Sequence, residues 1–75
     1  MTTPMRELLP NFGRRCRELR CNQGMLQRHV AGMAGIDVWS LSHYERGKRE
    51  PSVITVCKLA RALRTTPNYL LGFIK

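Results

Sequence analysis

Acidic residues, cysteines and long apolar runs are all scarce in this chain of 75 residues. Only 5 Asp and Glu stand against 13 Lys and Arg, which gives a formal net charge of +8. A balance this basic indicates an anionic partner: a nucleic acid, an acidic protein or a membrane surface. No apolar run approaches the roughly 20 residues of a membrane span, and the N-terminus lacks the apolar core of a secretory signal. We therefore expect a soluble, cytoplasmic protein.

The sequence also lacks the patterns of a disulfide framework, a metal site or an enzyme. The three cysteines, Cys16, Cys21 and Cys57, cannot all pair within one chain, and no Cys-x-x-Cys or Cys/His quartet is present. Reduced thiols that pack as small hydrophobes are the expected state. Paired carboxylates at catalytic spacing and glycine-rich phosphate loops are missing as well. We expect no catalysis, no metal and no cofactor.

Strand-type alternation is absent, and glycines and prolines divide the chain at short intervals. Capping and breaking signals then predict five helices and an all-α fold. The first runs from an N-cap at Asn11 to about Gln23, the second over 26–34 and the third over 38–46 after Asp37. The fourth runs from 53 to about 63 after Ser52, and the fifth opens with Thr66 and Pro67 and ends before Gly72. Residues 1–10 are predicted to be an N-terminal arm or a short extra turn, and residues 11–75 a single domain.

Helical spacing of the apolar residues predicts which side of each helix is buried. On the first helix the stripe comprises Phe12, Cys16, Leu19 and Gln23. On the fourth it comprises Val53, Val56, Cys57, Ala60 and Leu63. A small core shared by the second and third helices comprises Val30, Ala34, Ile36, Leu41 and Tyr44.

The segment from 27 to 46 has the residues that two steeply crossed helices need. Ala31 allows a close helix crossing, because a larger side chain would force the helices apart. Gly35 can adopt the positive φ that a tight turn requires. This pattern, with Gln27 at its start and YERGKREP after it, resembles the helix-turn-helix domain of lambda-type phage repressors, Cro proteins and Xre-like bacterial regulators. The resemblance spans about residues 12–72 and includes the ending TTPNYLLG.

The resemblance implies a compact five-helix, lambda-repressor-like fold and sequence-specific binding of double-stranded DNA. The expected function is a phage- or prophage-type repressor that binds a palindromic operator as a homodimer and is nucleoid-associated when bound. The alternative is a module whose main role is to bind a partner protein: an antitoxin, a restriction-modification controller or the target of an antirepressor. A chain this short has no room for the C-terminal cleavable domain of full-size phage repressors, so we expect any switch to act through a separate protein, concentration or dimer dissociation.

In the family, the third helix presents its N-terminal residues to base edges in the major groove. Carried over by position, the base-reading set is Val38, Trp39, Ser42 and His43. A helical wheel independently puts Trp39, Ser42, His43 and Arg46 on one side and Leu41, Tyr44 and Glu45 on the other. Val38 and Trp39 suit thymine methyls, and His43 can reach guanine N7 or O6. Trp39 could instead pack against the second helix or a neighbouring chain, and His43 could be an idle surface residue.

Phosphate contacts position a protein on DNA without reading its sequence. The expected set is Gln27, Arg28, Ser40, Arg46, Lys48 and Arg49. Leu26 stands where the family usually has a Ser, Thr or Asn as N-cap of the second helix. For Arg14, Arg15, Arg17, Arg61 and Arg64, solvated faces are the preferred interpretation.

Glu45 would repel phosphate if it faced DNA, but its wheel position turns it inward beside Leu41. In the family, the glutamate at this position pairs with an arginine late in the first helix, and Arg20 occupies that place. The resemblance therefore implies a structural ion pair between Arg20 and Glu45.

Dimerisation is expected because one helix in one groove contacts too few base pairs to select a site from a genome. The candidate interface is the C-terminal patch Tyr69, Leu70, Phe73 and Ile74. Met5, Leu8 and Leu9 form a second candidate. Either group could instead close the core of the monomer.

Overall fold

The structure, a computed structural model, describes the backbone of residues 5–73 and the side chains of residues 11–73. Within this part of the chain there are five helices and no strand. They are α1 (Met5–Asn22), α2 (Gln27–Ala34), α3 (Val38–Glu45), α4 (Val53–Ala62) and α5 (Pro67–Leu71). α1 packs against α3 and α5, α2 packs against α3 and α4, and α4 packs against α5. The predicted all-α, five-helix fold is confirmed.

Three of the predicted helix starts are confirmed by their hydrogen bonds. The side chains of Asp37, Ser52 and Thr66 accept from the main-chain N–H three residues on, at 2.8, 3.1 and 3.1 Å. These bonds satisfy donors that have no partner within the helix. The main-chain and hydroxyl donors of Ser40 lower the pKa of the exposed Asp37 carboxyl, so this cap weakens only as the pH falls through that lowered value.

The start of α2 is stabilised by a different hydrogen bond, because Leu26 has no polar side chain that could cap the helix. The main-chain N–H of Leu26 instead donates to Nδ1 of His29, one turn into the helix, at 3.3 Å. At the other end, Gly35 has a φ of 72°, which puts it in the left-handed region that favours glycine. The predicted turn between α2 and α3 is therefore confirmed.

The core is built from all five helices. Its buried apolar members are Phe12, Cys16, Val30, Ala31, Ala34, Leu41, Tyr44, Val56, Leu59, Ala60, Leu63 and Leu70. Leu19 and Ile36 pack against it and are only partly buried. The rings of Phe12 and Tyr44 meet edge to face, 6.3 Å apart and at 76°, where α1 crosses α3.

The predicted apolar face of α4 was wrong at two positions. Val53 is 69% exposed and Cys57 is exposed, whereas Leu59 is fully buried. The stripe that α2 and α5 cover is Val56, Leu59, Ala60 and Leu63, so it keeps three of the predicted residues and adds Leu59.

The predicted start of α1 was also wrong. The helix begins at Met5 and continues through Pro10, which has no N–H to donate to the main chain one turn earlier. Asn11 therefore lies inside the helix, where its side chain accepts from Arg14 at 3.2 Å. At the other end the helix stops at Asn22, and the exposed Gln23 donates to the carbonyl oxygen of Leu63 at 2.9 Å.

The cysteine side chains are unpaired, with Cys16 buried and Cys21 and Cys57 exposed. Burial, and to a lesser extent the Glu45 carboxylate, raises the pKa of the Cys16 thiol to about 12. Cys16 therefore remains a neutral thiol and serves as a small core residue.

Gly13 lies where α1 crosses the C-terminal end of α3. A Cβ at this position would overlap the carbonyl oxygen of Tyr44 and lie 2.8 Å from that of Glu45. Because both are backbone atoms, we expect Gly13→Ala to lower the free energy of unfolding by about 3 kcal/mol. In Gly32→Ala, the control on α2, the new Cβ meets nothing within 4 Å, and stability should rise by about 0.5–1 kcal/mol. Urea unfolding measures both, and a neutral Gly13→Ala would contradict the close crossing.

Candidate nucleic-acid interface

α3 exposes one side of its surface and buries the other. Leu41 and Tyr44 belong to the core, as the helical wheel predicts. Trp39 is 74% exposed, Ser42 and His43 are partly exposed, and Arg46 is exposed. The periodicity of 3.6 residues brings Trp39, Ser42, His43 and Arg46 onto one side, with Val38 at its edge. We call these five residues the outer face of α3.

The outer face has a mixed apolar and polar chemistry. The rings of Trp39 and His43 stack with 6.2 Å between centroids and 28° between planes. Arg46 Nε donates to the carbonyl oxygen of Ser42 at 3.4 Å, which lays the guanidinium along the helix. A shallow groove of about 230 Å³ runs beside these groups and is lined by Gln27, Val38, Trp39, Ser42 and Arg46. The indole does not pack into the domain, so that alternative for Trp39 is excluded for the monomer.

Beneath the outer face, Glu45 and Arg20 form the predicted ion pair. Arg20 donates from Nε to one carboxylate oxygen at 2.7 Å and from Nη2 to the other at 2.9 Å. The Glu45 side chain is only 3% exposed. This hydrogen bonding raises the pKa of Arg20, although its burial works in the opposite direction. The carboxylate therefore carries no free negative charge to the surface of α3.

Gln27 lies at the first position of α2 and is committed to the same carboxylate. Its Nε2 donates to Glu45 at 3.0 Å, so it ties α2 to α3. Arg20 also donates to the carbonyl oxygen of Met25 at 3.0 Å. The four residues hold α1, α2 and the connection between them against the end of α3. A phosphate contact by Gln27 would have to use its remaining amide N–H.

Ser40 is placed differently from its predicted role as a phosphate contact. It is only 7% exposed, and its hydroxyl donates to Asp37 at 3.0 Å. The same oxygen accepts from Arg49 at 3.0 Å, and the Arg49 guanidinium lies 5.9 Å from the centre of the Tyr44 ring. This placement argues against a direct phosphate contact by Ser40 and gives it a part in positioning Arg49.

Arg14 and Arg17 of α1, which are interpreted from the sequence as solvated residues, extend the basic surface beside α3. Arg14 and Arg17 line a groove of about 480 Å³ together with Arg46 and Gly47. Arg17 also lines a second groove that contains Gln27 and Ser42. The packing of α1 on α3 places them there. Their spacing of three residues, on the side of α1 away from the core, is the only sequence signal that could have indicated this.

The residues of the predicted dimer patch differ in how far they are buried. Leu70 is fully buried in the core of the monomer, so it cannot be part of an interface. Tyr69 is partly buried under the Arg15 guanidinium, which lies 4.8 Å from the ring centre. Phe73 is 58% exposed. Ile74 lies outside the described residues, as do the side chains of the second candidate, Met5, Leu8 and Leu9.

Residues 11–73 bring no group of three or more His, Cys, Asp or Glu side chains into a metal-binding arrangement. Among helices of the described part of the chain, none combines the length and the hydropathy needed to cross a membrane.

The domain has five helices, a glycine turn between α2 and α3, and an exposed face on α3 flanked by cations. This is the arrangement of a helix-turn-helix domain. Comparison with known families agrees, because the helix-turn-helix family HTH_3 matches residues 17–70. The chain belongs to this family of non-enzymatic DNA-binding regulators, which includes phage repressors.

Relatives of known structure or function support the assignment. The transcriptional regulator ImmR of Bacillus subtilis is 36% identical over 62 residues, 83% of this chain and 49% of ImmR, so the chain spans about half its length. The restriction-modification controller protein C.AhdI of Aeromonas hydrophila is 40% identical, with a TM-score of 0.79 over 83% of this chain and 94% of that one. The P22 c2 repressor, solved with a synthetic operator, is 30% identical, with a TM-score of 0.79 over 84% of this chain and 96% of that one.

Proposed function

We propose that the protein is a sequence-specific, double-stranded-DNA-binding transcriptional regulator of the phage or prophage repressor type. It binds a palindromic operator as a homodimer and works in the cytoplasm, at the nucleoid when bound. The similarity to the P22 c2 repressor, solved with an operator, supports the repressor type.

The observation that carries this proposal is the outer face of α3. It holds an exposed indole, a hydroxyl, an imidazole and a guanidinium, while the one carboxylate of the helix is buried in an ion pair. Such groups can contact thymine methyls and hydrogen-bond to base edges in the major groove. In the proposed complex, Val38, Trp39, Ser42 and His43 read bases.

Exposed cations on and around the outer face of α3 supply the phosphate contacts of the proposed complex. Arg28 follows the first residue of α2, and Arg46, Lys48 and Arg49 follow α3. The remaining N–H of Gln27 can add one contact at the start of α2. Phosphate contacts of this kind fix the register of a domain on the duplex without reading its sequence.

Two copies of the domain have suitable dimensions for a palindrome. The extents of 36 × 24 × 18 Å allow two domains, side by side, to place their third helices about 34–36 Å apart, one turn of DNA. Tyr69 and the exposed Phe73, with Ile74 beside them in the sequence, are the proposed contact between the copies.

Selection of bound duplexes from a random pool tests the proposed function. We expect an enriched motif with two-fold symmetry and half-sites separated by about one helical turn. Sedimentation of the complex should show two protein chains per duplex. Failure to enrich any motif would overturn the proposed function, whereas a non-palindromic motif bound by one chain would overturn only the dimer.

Single substitutions should separate base reading from positioning. His43→Ala and Trp39→Ala should each weaken binding to the selected site by about 1–3 kcal/mol and have little effect on random DNA. Lys48→Ala should weaken both alike, because a phosphate contact carries no sequence information. Titration on selected and scrambled duplexes measures this, with circular dichroism to confirm folding and Lys58→Ala on α4 as control. Equal losses on both duplexes for His43→Ala and Trp39→Ala would show that α3 is not the sequence reader.

Restriction-modification control is the second candidate function. The match to C.AhdI covers 94% of that protein at 40% identity, so a controller need contain little beyond this domain. In this candidate, and in an antitoxin or antirepressor target, a protein partner matters as well as DNA. If His43→Ala and Trp39→Ala left DNA binding intact and abolished association with such a partner, the outer face of α3 would be a protein-docking surface.

A further inference from the structure

His43 is held in one orientation on the outer face of α3 by two contacts with Trp39. Its Nδ1 lies 2.7 Å from the main-chain carbonyl oxygen of Trp39, one turn earlier. Its ring also stacks against the indole. Both contacts leave the imidazole partly exposed on the outer face of α3.

The contact with the Trp39 carbonyl decides which nitrogen of neutral His43 carries the proton. A carbonyl oxygen only accepts, so Nδ1 donates, and a neutral imidazole then has no proton on Nε2. The two nitrogens flank Cε1, and their hydrogen-bonding directions diverge. With Nδ1 turned to the backbone of α3, Nε2 points away from the helix, and no side chain of residues 11–73 hydrogen-bonds to it.

We infer that neutral His43 reads an exocyclic amino group, N6 of adenine or N4 of cytosine, through the unprotonated Nε2. The inference rests on the proposed function, in which the outer face of α3 enters the major groove. The two amino groups are the hydrogen-bond donors on base edges there, whereas guanine N7 and O6 and thymine O4 are acceptors. This is the reverse of the expectation from sequence alone, in which His43 donates to guanine.

The Trp39 carbonyl oxygen is the one hydrogen-bond partner that residues 11–73 give to Nδ1 of His43. The charged or titratable groups on α3, on the loop after it and on the sides of α1 and α2 near it include Arg17, Arg20, Arg28, His29, Arg46, Lys48, Arg49 and Glu50. Glu50 is exposed, and His43 makes its side-chain hydrogen bond with the Trp39 carbonyl and not with this carboxylate. Among the acids, Glu45 is bound by Arg20 and Asp37 by Ser40. Glu18 lines a different groove from Trp39 and Ser42.

Base analogues in the selected duplex test the inference at the level of single atoms. The base pair whose identity stops mattering in His43→Ala is the one that His43 reads. At pH 8, an analogue that lacks the exocyclic amino group of that adenine or cytosine should weaken wild-type binding about five- to tenfold. It should have no further effect in His43→Ala, which controls for the altered base pairing. Replacing the purine of that pair with its 7-deaza form should change nothing at pH 8. If the pair that His43 reads is A·T, the amino group is N6 of adenine; if it is G·C, the amino group is N4 of cytosine.

Sensitivity to 7-deazapurine, but not to the amino-group analogue, at pH 8 would overturn the inference. So would a selected motif that is identical for wild type and His43→Ala. In both cases the proposed function stands, because DNA is still read; a wild-type chain that enriches no motif overturns both. A long-range ¹H–¹⁵N spectrum of the free protein tests the proton position without DNA. We expect a protonated Nδ1 and an unprotonated Nε2 at pH 8, and the opposite assignment would overturn the inference.

Discussion

Raising the salt concentration from 50 to 200 mM should weaken operator binding by about 10³- to 10⁴-fold. We expect the logarithm of the association constant to fall against the logarithm of salt with a slope of about −5 to −7, because a dimer that neutralises about six to eight phosphates releases their counterions. Fluorescence titration of a selected duplex at four salt concentrations measures this slope.

The arrangement of charge in each copy accounts for the size of this effect. Arg28, Arg46, Lys48 and Arg49 are exposed around the outer face of α3, and a dimer carries two such sets. Glu45, the one acid of α3, is bound by Arg20 and does not oppose them. Arg14 and Arg17 on α1 can raise the slope further, because they line a groove with Arg46.

Lysine variants on two sides of the domain make the salt experiment specific. Lys48→Ala should reduce the slope by about one unit for each copy in the complex. Lys58→Ala is the control, because Lys58 lines a groove between α2 and α4 with Met33 and Arg61. The control should leave the slope unchanged. An affinity independent of salt would overturn phosphate binding by this surface.

Features of the fold that depend on neighbours in the chain could be predicted from the sequence. The caps at Asp37, Ser52 and Thr66 and the turn at Gly35 each need a side chain or a backbone angle that one residue supplies. The buried side of α4 could not be predicted from the sequence of the helix alone, because helical spacing allows an apolar stripe through Val53 and Cys57 as well as one through Leu59. Only the packing of α2 and α5 decides between these stripes.

In the candidate site, too, some features follow from the local sequence and others depend on how the helices pack. The exposure of Trp39 and the inward direction of Glu45 follow from the helical wheel and are confirmed. The commitment of Gln27 to Glu45, 18 residues away, depends on how α2 meets α3. The hydroxyl of Ser40 is engaged by Arg49 from the loop after α3. A sequence pattern gives the residue type at such positions but does not give its partner.

Arg20 and Glu45 should be strongly coupled in stability. Arg20→Ala leaves the Glu45 carboxylate, 3% exposed, without its cation, and should lower the free energy of unfolding by about 3–5 kcal/mol. Glu45→Ala should cost less, about 2–3 kcal/mol. The Arg20 side chain is 13% exposed and keeps its bond to the carbonyl oxygen of Met25.

The double variant should cost much less than the sum of the two single variants, because no unpaired charge remains once both are alanine. Urea unfolding of the four proteins gives the coupling energy, which we expect to be about 2 kcal/mol or more. Arg17→Ala is the matched control, an exposed arginine on the same helix, and should change stability by no more than about 0.5 kcal/mol. Additive costs for Arg20→Ala and Glu45→Ala would show that the pair does not form.

The same variants should show what the ion pair contributes to the outer face of α3. Arg20 holds the C-terminal end of α3 on α1 through two bonds, and Gln27 holds it on α2 through a third. Arg20→Ala removes the bonds to α1 and also frees a negative charge beside the phosphate-binding cations. It should therefore weaken DNA binding more than the double variant does, even at a temperature where both are fully folded. If the two bound DNA equally well, the pair would act on stability alone, and the charge of Glu45 would not affect the interface.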